Sequence, residues 1–172
     1  MKILVCLDGS ETASRVLPAV ARTLAALPAA ELHLLQILNP DVVRGRAAKV
    51  AGEVSDFAAA FVSARAISDS QFPRVVEDHG SAMERVRLES TEELQRVAAE
   101  RFPGAVVVTH IEWSHHPAQK IVQTATALDI DVIAMATHGR SGVSHLVTGS
   151  VTEEVLRTTA IPVLVVGPAY PE

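Results

Sequence analysis

Five short aliphatic runs, each separated from the next by a stretch with helical patterning, limit the fold of this chain more than any other feature. The runs are Ile3–Leu7, Leu32–Ile37, Ala105–Thr109, Val132–Met135 and Pro162–Val166. Strands that alternate with helices form parallel sheets through right-handed crossovers. Aromatic residues make up only 3% of the chain, so Val, Ala, Leu and Ile must fill the core, as in a buried parallel sheet. We therefore predict a three-layer α/β fold, an open twisted five-stranded parallel sheet with helices on both faces.

Helix signals occupy the segments between these runs. Ser10 is a predicted N-cap for a helix that Pro18 should kink. Capping boxes that start at Ser81 and Ser90 predict a helix over about 82–101, either continuous or broken at the second box. The remaining signals are Pro117 as the first residue of the next helix, and Ser150 and about Thr158 as the ends of the last one.

Residues 41–80 are too many for an ordinary connection between a strand and a helix, which takes roughly 2–6 residues. We predict one domain, 1–172, with an inserted helical segment here. Apolar residues at helical spacing indicate an amphipathic helix over roughly 43–66. It could cover the flank of the domain, close over a ligand or bind a partner. The apolar positions are Val50, Val54, Phe57 and Phe61.

The charge and cysteine content exclude several classes of protein. The 172 residues carry 15 Lys and Arg against 20 Asp and Glu, without the basic excess of a nucleic-acid-binding protein. Cys6 is the single cysteine, and no apolar stretch approaches the roughly 18 residues of a membrane span. We expect a cytoplasmic protein without nucleic-acid or membrane partners, and a Cys6 that packs in the first strand rather than acting as a nucleophile.

A glycine-rich loop follows the fourth run and leads into the last helix. Gly139, Gly142 and Gly149 allow a ligand to approach the backbone closely, and free amides at the helix start, including that of Val151, attract an anion such as phosphate. The spacing matches neither the Walker motif nor the dinucleotide-binding motif. The loop is therefore either an anion site or ordinary turn and cap chemistry. Arg140 within it either contacts phosphate or stays solvated.

Outside the loop, Asp8 and two adjacent histidines are the polar side chains considered for ligand binding. Asp8 ends the first run, and ligands of open α/β sheets bind at the carboxyl ends of strands. Its carboxylate can accept hydrogen bonds from a base amine or a ribose hydroxyl, or can form an Asx turn that starts the helix. His115 and His116 have only Glu112 as a nearby carboxylate, so we predict no metal site.

Three segments resemble the universal stress protein family: Ile3–Ser10, Leu34–Ile37 and Asp131–Val166. Nucleotide-binding members of that family carry G-x-x-G, nine residues and then G-S/T. This chain has Gly139, nine residues and then Gly149-Ser150, with Ala136 at the first glycine position. The resemblance implies a sheet of strand order 3-2-1-4-5 and an adenine nucleotide as ligand, ATP or a relative of it, together with Mg²⁺.

The resemblance also implies roles for individual residues. Asp8 and the backbone around Ile37 would bind the adenosine end, whereas Gly139, Gly149, Ser150 and Val151 would surround the phosphates. The chain departs from the pattern of the resembled family at two positions. The methyl group of Ala136 crowds the approach of a ligand to the backbone or shifts the sugar. His145 stands where relatives often have a basic residue, so any charge that it offers to phosphate depends on pH.

Two functional hypotheses follow. The first is a regulatory ATP-binding protein of the stress response that acts as a dimeric sensor or adaptor. The second is an interaction module that binds no nucleotide because the insertion covers the crevice. An enzyme is not expected, since the loop offers no evident catalytic base and no Walker lysine, although slow ATP hydrolysis stays conceivable. The apolar last run, Pro162–Val166, predicts a homodimer through an edge strand, as in the resembled family.

Overall fold

Parallel strands form one large sheet with helices on both faces. The computed structural model describes residues 1–44, 47–49, 74–137 and 150–170. The strands are β1 (Lys2–Leu7), β2 (Glu31–Leu38), β3 (Ala47–Lys49), β4 (Arg74–Val76), β5 (Val107–Trp113), β6 (Val132–Ala136) and β7 (Val163–Val166). The helices are α1 (Glu11–Ser14), α2 (Val16–Ala26), α3 (His79–Arg101), α4 (Pro117–Ala127) and α5 (Ser150–Thr158), with a 3-10 turn at Pro40–Val42. The large sheet has the order β5-β2-β1-β6-β7, which confirms the predicted class and the order 3-2-1-4-5.

Successive residues of a strand point to opposite faces of the sheet, and each face has its own core. On one face, the core comprises Ile3, Val5, Leu32 and Leu34 with Val16 and Val20 of α2 and Leu94 and Phe102 of α3. On the other, it comprises Leu4, Leu35 and Ile133 with Ile121 and Ala125 of α4 and Val155 of α5. Aliphatic side chains dominate both cores, as the low aromatic content predicts. Burial on both faces is what makes the central strands read as nearly continuous apolar runs.

The third strand of the sheet lies further along the chain than predicted. The aliphatic run Ala105–Thr109 marks its start, but β5 continues to Trp113, opposite Leu38 of β2. His110 and Glu112 hide this continuation because they break the aliphatic pattern. They are tolerated because β5 is an edge strand whose residues are mostly only half-buried. Backbone pairing along the whole of β2, rather than side-chain hydropathy, determines the length of β5.

The first helical segment has the predicted cap and the predicted interruption. The Ser10 hydroxyl accepts a hydrogen bond from the Ala13 amide at 3.1 Å, which confirms the N-cap. The helix breaks at Arg15, between α1 and α2. Pro18 lies one turn beyond the carbonyl of Ser14 and has no amide hydrogen to donate to it. The regular series of α-helical hydrogen bonds therefore cannot continue across this turn.

Helix α3 begins earlier than predicted and runs without a break. It starts at His79 rather than at about residue 82, because Asp78 precedes it and accepts hydrogen bonds from the amide and hydroxyl of Ser81 at 3.0 and 2.6 Å. The second capping box does not interrupt it, and the Thr91 hydroxyl instead donates to the Arg87 carbonyl at 2.8 Å. Within the described ranges, none of the helices combines the length and the apolar character needed to cross a bilayer.

The chain separates into two compact units. One comprises Met1–Asp41 and Arg87–Glu172, and the other Val42–Val86. In the second unit, β3 and β4 pair antiparallel. The predicted helix over 43–66 is therefore wrong at residues 47–49, because the backbone groups of this segment bond to those of β4 rather than within a helix. Residues 50–66 of the predicted helix lie outside the described part of the chain.

Candidate functional site

A cavity of about 360 Å³ opens where β1, β2 and β6 end. All strands of the large sheet run in one direction, so their carboxyl ends meet at one edge. From β1 the chain continues to β2 on one side, while β6 lies on the other, and ligands of open α/β sheets bind at such a reversal of strand order. The described lining residues are Cys6, Leu7, Asp8, Ala13, Leu35, Ile37, Pro117, Ile121, Met135, Ala136, Ser150, Val151 and Thr152.

Asp8 lies at the end of β1 and lines the cavity. Its Oδ1 atom accepts a hydrogen bond from the Ser10 amide at 2.9 Å, so the Asx turn considered from the sequence is formed. Gly9, the central residue of this turn, has a φ angle of +79°, a left-handed conformation that favours glycine. The turn uses one carboxylate oxygen and orients the side chain, which remains exposed. The second oxygen, Oδ2, is therefore the atom that a ligand would meet.

The floor of the cavity is apolar. Leu35, Ile121 and Met135 are almost completely buried beneath it, and Ile37 lines its wall from β2. Cys6 also lines the cavity, and desolvation by the surrounding side chains raises the pKa of its thiol to about 12. The site therefore combines an apolar surface, suited to a flat ring, with one carboxylate at its margin.

The first turn of α5 forms the opposite side of the cavity. Ser150, Val151 and Thr152 line it, and helix N-termini carry unpaired amides and a partial positive charge. Buried Thr152 donates from Oγ1 to the Ala136 carbonyl at 3.4 Å, which connects the start of α5 to the end of β6. This side of the cavity is suited to an anion, opposite the side that carries Asp8.

The structure brings five of the predicted site residues to this one cavity: Asp8, Ile37, Ala136, Ser150 and Val151. Gly139, Arg140, Gly142 and Gly149 lie outside the described residues, as does His145. Sequence reasoning missed the contribution of α4, whose residues Pro117 and Ile121 also line the cavity. One signal was available: Pro117 was recognised as the start of a helix that follows a strand, and such a helix begins at the carboxyl edge of the sheet.

The histidines of the sequence do not create a metal centre in the described part of the chain. His115 Nδ1 lies 3.2 Å from the Asp41 carboxylate, and both side chains are largely exposed. Across the described ranges, no group of three or more His, Cys, Asp or Glu side chains is arranged to hold a metal ion.

Comparison with the sequence models of protein families shows to which family the chain belongs. The model of the universal stress protein family matches residues 1–167, almost the whole chain. The chain belongs to the universal stress protein family. One relative, universal stress protein MJ0577 of Methanocaldococcus jannaschii, is 27% identical over 165 residues, which span 96% of this chain and 93% of that protein. A shorter match to a universal stress protein of Synechocystis is 47% identical over 49 residues, 28% of this chain and 17% of that relative.

Solved structures of universal stress proteins have the same fold. The structure of the Methanocaldococcus jannaschii protein has a TM-score of 0.66 at 24% identity and covers 99% of this chain and 97% of its own. A universal stress protein in complex with cAMP has a TM-score of 0.55 at 18% identity, covering 97% and 96%. The universal stress protein from Archaeoglobus fulgidus in complex with dAMP has a TM-score of 0.53 at 21% identity, covering 96% of each chain.

The raised pKa of Cys6 in this universal stress protein generates a prediction. With a pKa of about 12, the thiol is almost entirely protonated at pH 8. Iodoacetamide should therefore alkylate Cys6 about 10- to 100-fold more slowly in the folded protein than in urea, where the pKa returns to its ordinary range, because the smaller thiolate fraction outweighs the greater nucleophilicity of a thiolate of higher pKa. Mass spectrometry of timed samples measures both rates.

An Ala127→Cys variant supplies the control, because Ala127 is an exposed residue at the end of α4. The folded variant should gain one rapid label. Equal rates for folded and unfolded wild-type protein would show that Cys6 is reactive in the folded chain.

Proposed function

We propose that this chain is a regulatory adenine-nucleotide-binding protein, with ATP and Mg²⁺ in the cavity at the carboxyl ends of β1, β2 and β6. One observation carries the proposal: a single cavity has the Asp8 carboxylate on one side, an apolar floor, and the first turn of a nine-residue helix on the other. The cAMP and dAMP complexes of related universal stress proteins support an adenine nucleotide in this fold.

Each part of the cavity has a role in this proposal. A carboxylate only accepts hydrogen bonds, so Asp8 selects the donors of an adenosine, the base amine or a ribose hydroxyl. The apolar floor removes the faces of the base from water. The amides at the start of α5, including that of Val151, donate to phosphate oxygens. Gly139, Arg140, Gly142 and Gly149 are proposed to complete the phosphate site.

Ala136 determines where the sugar lies in this proposal. It lines the cavity at the end of β6, and its carbonyl accepts the Thr152 hydroxyl, so its backbone is connected to α5. A methyl group at this position keeps the ligand further from the strand than glycine would. We therefore place the ribose nearer to Asp8 and the phosphates against the first turn of α5.

Binding without rapid turnover is the activity we propose. Among the described residues that line the cavity, Asp8 is the only carboxylate, and one of its oxygens is already occupied by the Ser10 amide. The described lining also contains no lysine or arginine that could stabilise charge on a transferred phosphoryl group. A binding protein of this kind changes its interactions with partner proteins when the nucleotide concentration changes. This behaviour suits a sensor or adaptor in the cytoplasmic stress response.

Nucleotide titration of an Asp8 variant tests the site. Asp8→Ala removes an ionised hydrogen-bond acceptor and should weaken ATP binding about 10- to 100-fold, as measured by isothermal titration calorimetry. Asp8→Asn keeps a side-chain oxygen for the Ser10 turn, so it separates loss of the charge from loss of the turn. Asp41→Ala removes an exposed carboxylate outside the described cavity lining and is the matched control.

The outcomes separate the two functional hypotheses. Wild-type affinity in Asp41→Ala together with weakened binding in Asp8→Ala supports the nucleotide site. No ATP binding by the folded wild-type protein in the presence of Mg²⁺ would contradict it and favour an interaction module. Equal affinities for the wild type and Asp8→Ala would place the nucleotide elsewhere.

We also propose that the protein is a homodimer formed through β7, within the segment Pro162–Val166. β7 is an edge strand of the described sheet, and Val163, Leu164 and Val165 are aliphatic but only partly buried. An exposed apolar edge pairs readily with a second strand. A two-fold axis beside β7 would cover both copies of the strand.

A lysine on β7 tests this dimer. Leu164→Lys introduces a charge into the proposed interface and should convert dimers to monomers in sedimentation velocity. Val106→Lys, at a residue 67% exposed beside the opposite edge strand, is the control and should remain dimeric. Circular dichroism verifies that each variant is folded. A wild-type monomer, or a Leu164→Lys variant that stays dimeric, would contradict an interface at β7.

A further inference from the structure

Two histidines on neighbouring strands, neither of them among the described residues that line the candidate site, form a hydrogen-bonded pair. His33 Nδ1 of β2 lies 2.9 Å from His110 Nε2 of β5, and the two rings are stacked with centroids 5.2 Å apart and planes inclined by 14°. His33 is only 5% exposed, and His110 is half-buried. We call this pair the histidine contact.

The histidine contact requires one proton between the two facing nitrogens. A ring nitrogen donates when it carries a hydrogen and accepts when it does not, so His33 Nδ1 and His110 Nε2 must differ in protonation. The other nitrogen of His33, Nε2, is buried and lies 3.4 Å from the Glu31 carboxylate. A hydrogen on Nε2 is therefore favoured, which makes His33 Nδ1 the acceptor and His110 the donor.

Protonation of both rings is incompatible with this geometry. Two imidazolium rings would direct N–H groups at each other across 2.9 Å and would place two positive charges in a largely buried space. Burial lowers the pKa of His33, and burial together with the neighbouring His33 lowers the pKa of His110. The folded strands therefore take up protons less readily than separated strands do.

Charged groups from the adjacent elements act on the contact in opposite directions. Lys2 lowers the pKa of His33 and Glu31 raises it, whereas Glu112 raises that of His110. Glu112 is itself paired with a lysine of α4 at 3.0 Å. These charges act in opposite directions, and burial is the largest influence on the pKa of both histidines. The charged groups around the contact are Lys2 on β1, Glu31 on β2, Glu112 on β5 and Lys120 on α4.

We propose that the histidine contact is an acid-sensitive connection that releases the edge strand β5 from β2 when the pH falls. Within the described sheet, β5 pairs with β2 alone, so none of the described strands replaces a lost contact with β2. The sign follows from linkage: the open strand binds protons near pH 6.5, and the paired strand binds them only at lower pH. Attachment of β5 is thus complete above about pH 6.5 and weakens as the pH falls below it.

Amide hydrogen exchange of the whole protein tests the proposal. Each histidine whose pKa is lower in the paired strand than in the open strand lowers the protection factor of β5 by up to about tenfold between pH 7.5 and 5.5, after correction for intrinsic exchange. β7, the opposite edge strand and free of histidine, is the internal reference and should change less. His110→Gln removes one titrating ring and should reduce the pH dependence of β5. His116→Gln, at an exposed histidine, should leave it unchanged.

Two results would overturn the proposal. One is a β5 protection factor that does not change with pH, or that changes as much as that of β7. The other is the same pH dependence in His110→Gln as in the wild type. Since the variant could fold poorly, the imidazole resonances of the wild-type protein give a second measurement. Both rings should titrate below pH 6.5, and titration of His33 at or above that pH would also contradict the proposal.

Discussion

The pairing of the central strand β1 with a parallel neighbour on each side is the interaction on which the rest of this structure depends. Leu4 and Val5 of β1 are completely buried, one on each face, and both helical layers pack against this strand and its neighbours. β2 and β6 lie on opposite sides of β1, so the order in which the chain adds strands to the sheet reverses at this point, although all strands stay parallel. The reversal opens the crevice, so the same strand that centres the core also positions Asp8 at the candidate site.

The candidate site is built mainly from backbone and apolar surface, with few polar side chains among its described residues. Asp8 is oriented by the Ser10 turn, and the opposite side is the first turn of α5, connected to β6 by Thr152. In the proposed function, this site recognises a base, a sugar and a phosphate by shape and hydrogen-bonding direction.

How much of the fold and of the candidate site can be predicted from the sequence depends on what each element packs against. β1 and β6 are buried on both faces and appear in the sequence as clear aliphatic runs, whereas the edge strand β5 contains His110 and Glu112 and was placed too early. Asp8 and Val151 were identified because they lie directly beside a strand end or a helix start. The contribution of Ile121 was missed, because it depends on how α4 packs over the sheet rather than on any local pattern. The antiparallel strands β3 and β4 are three residues each, too short for a periodic signal.

The two edges of the sheet differ in chemistry, and this difference organises the proposals for assembly and regulation. The aliphatic edge β7 is proposed to be covered by a second copy, and the more polar edge β5 carries the histidine contact. The central claim is that the cavity binds an adenine nucleotide.

Mass spectrometry of the small molecules released when the purified protein is denatured tests this claim most directly. The account predicts adenine nucleotide at near-stoichiometric amount, restored when the stripped protein is titrated with ATP. No released nucleotide, and no binding at millimolar ATP with Mg²⁺, would contradict it.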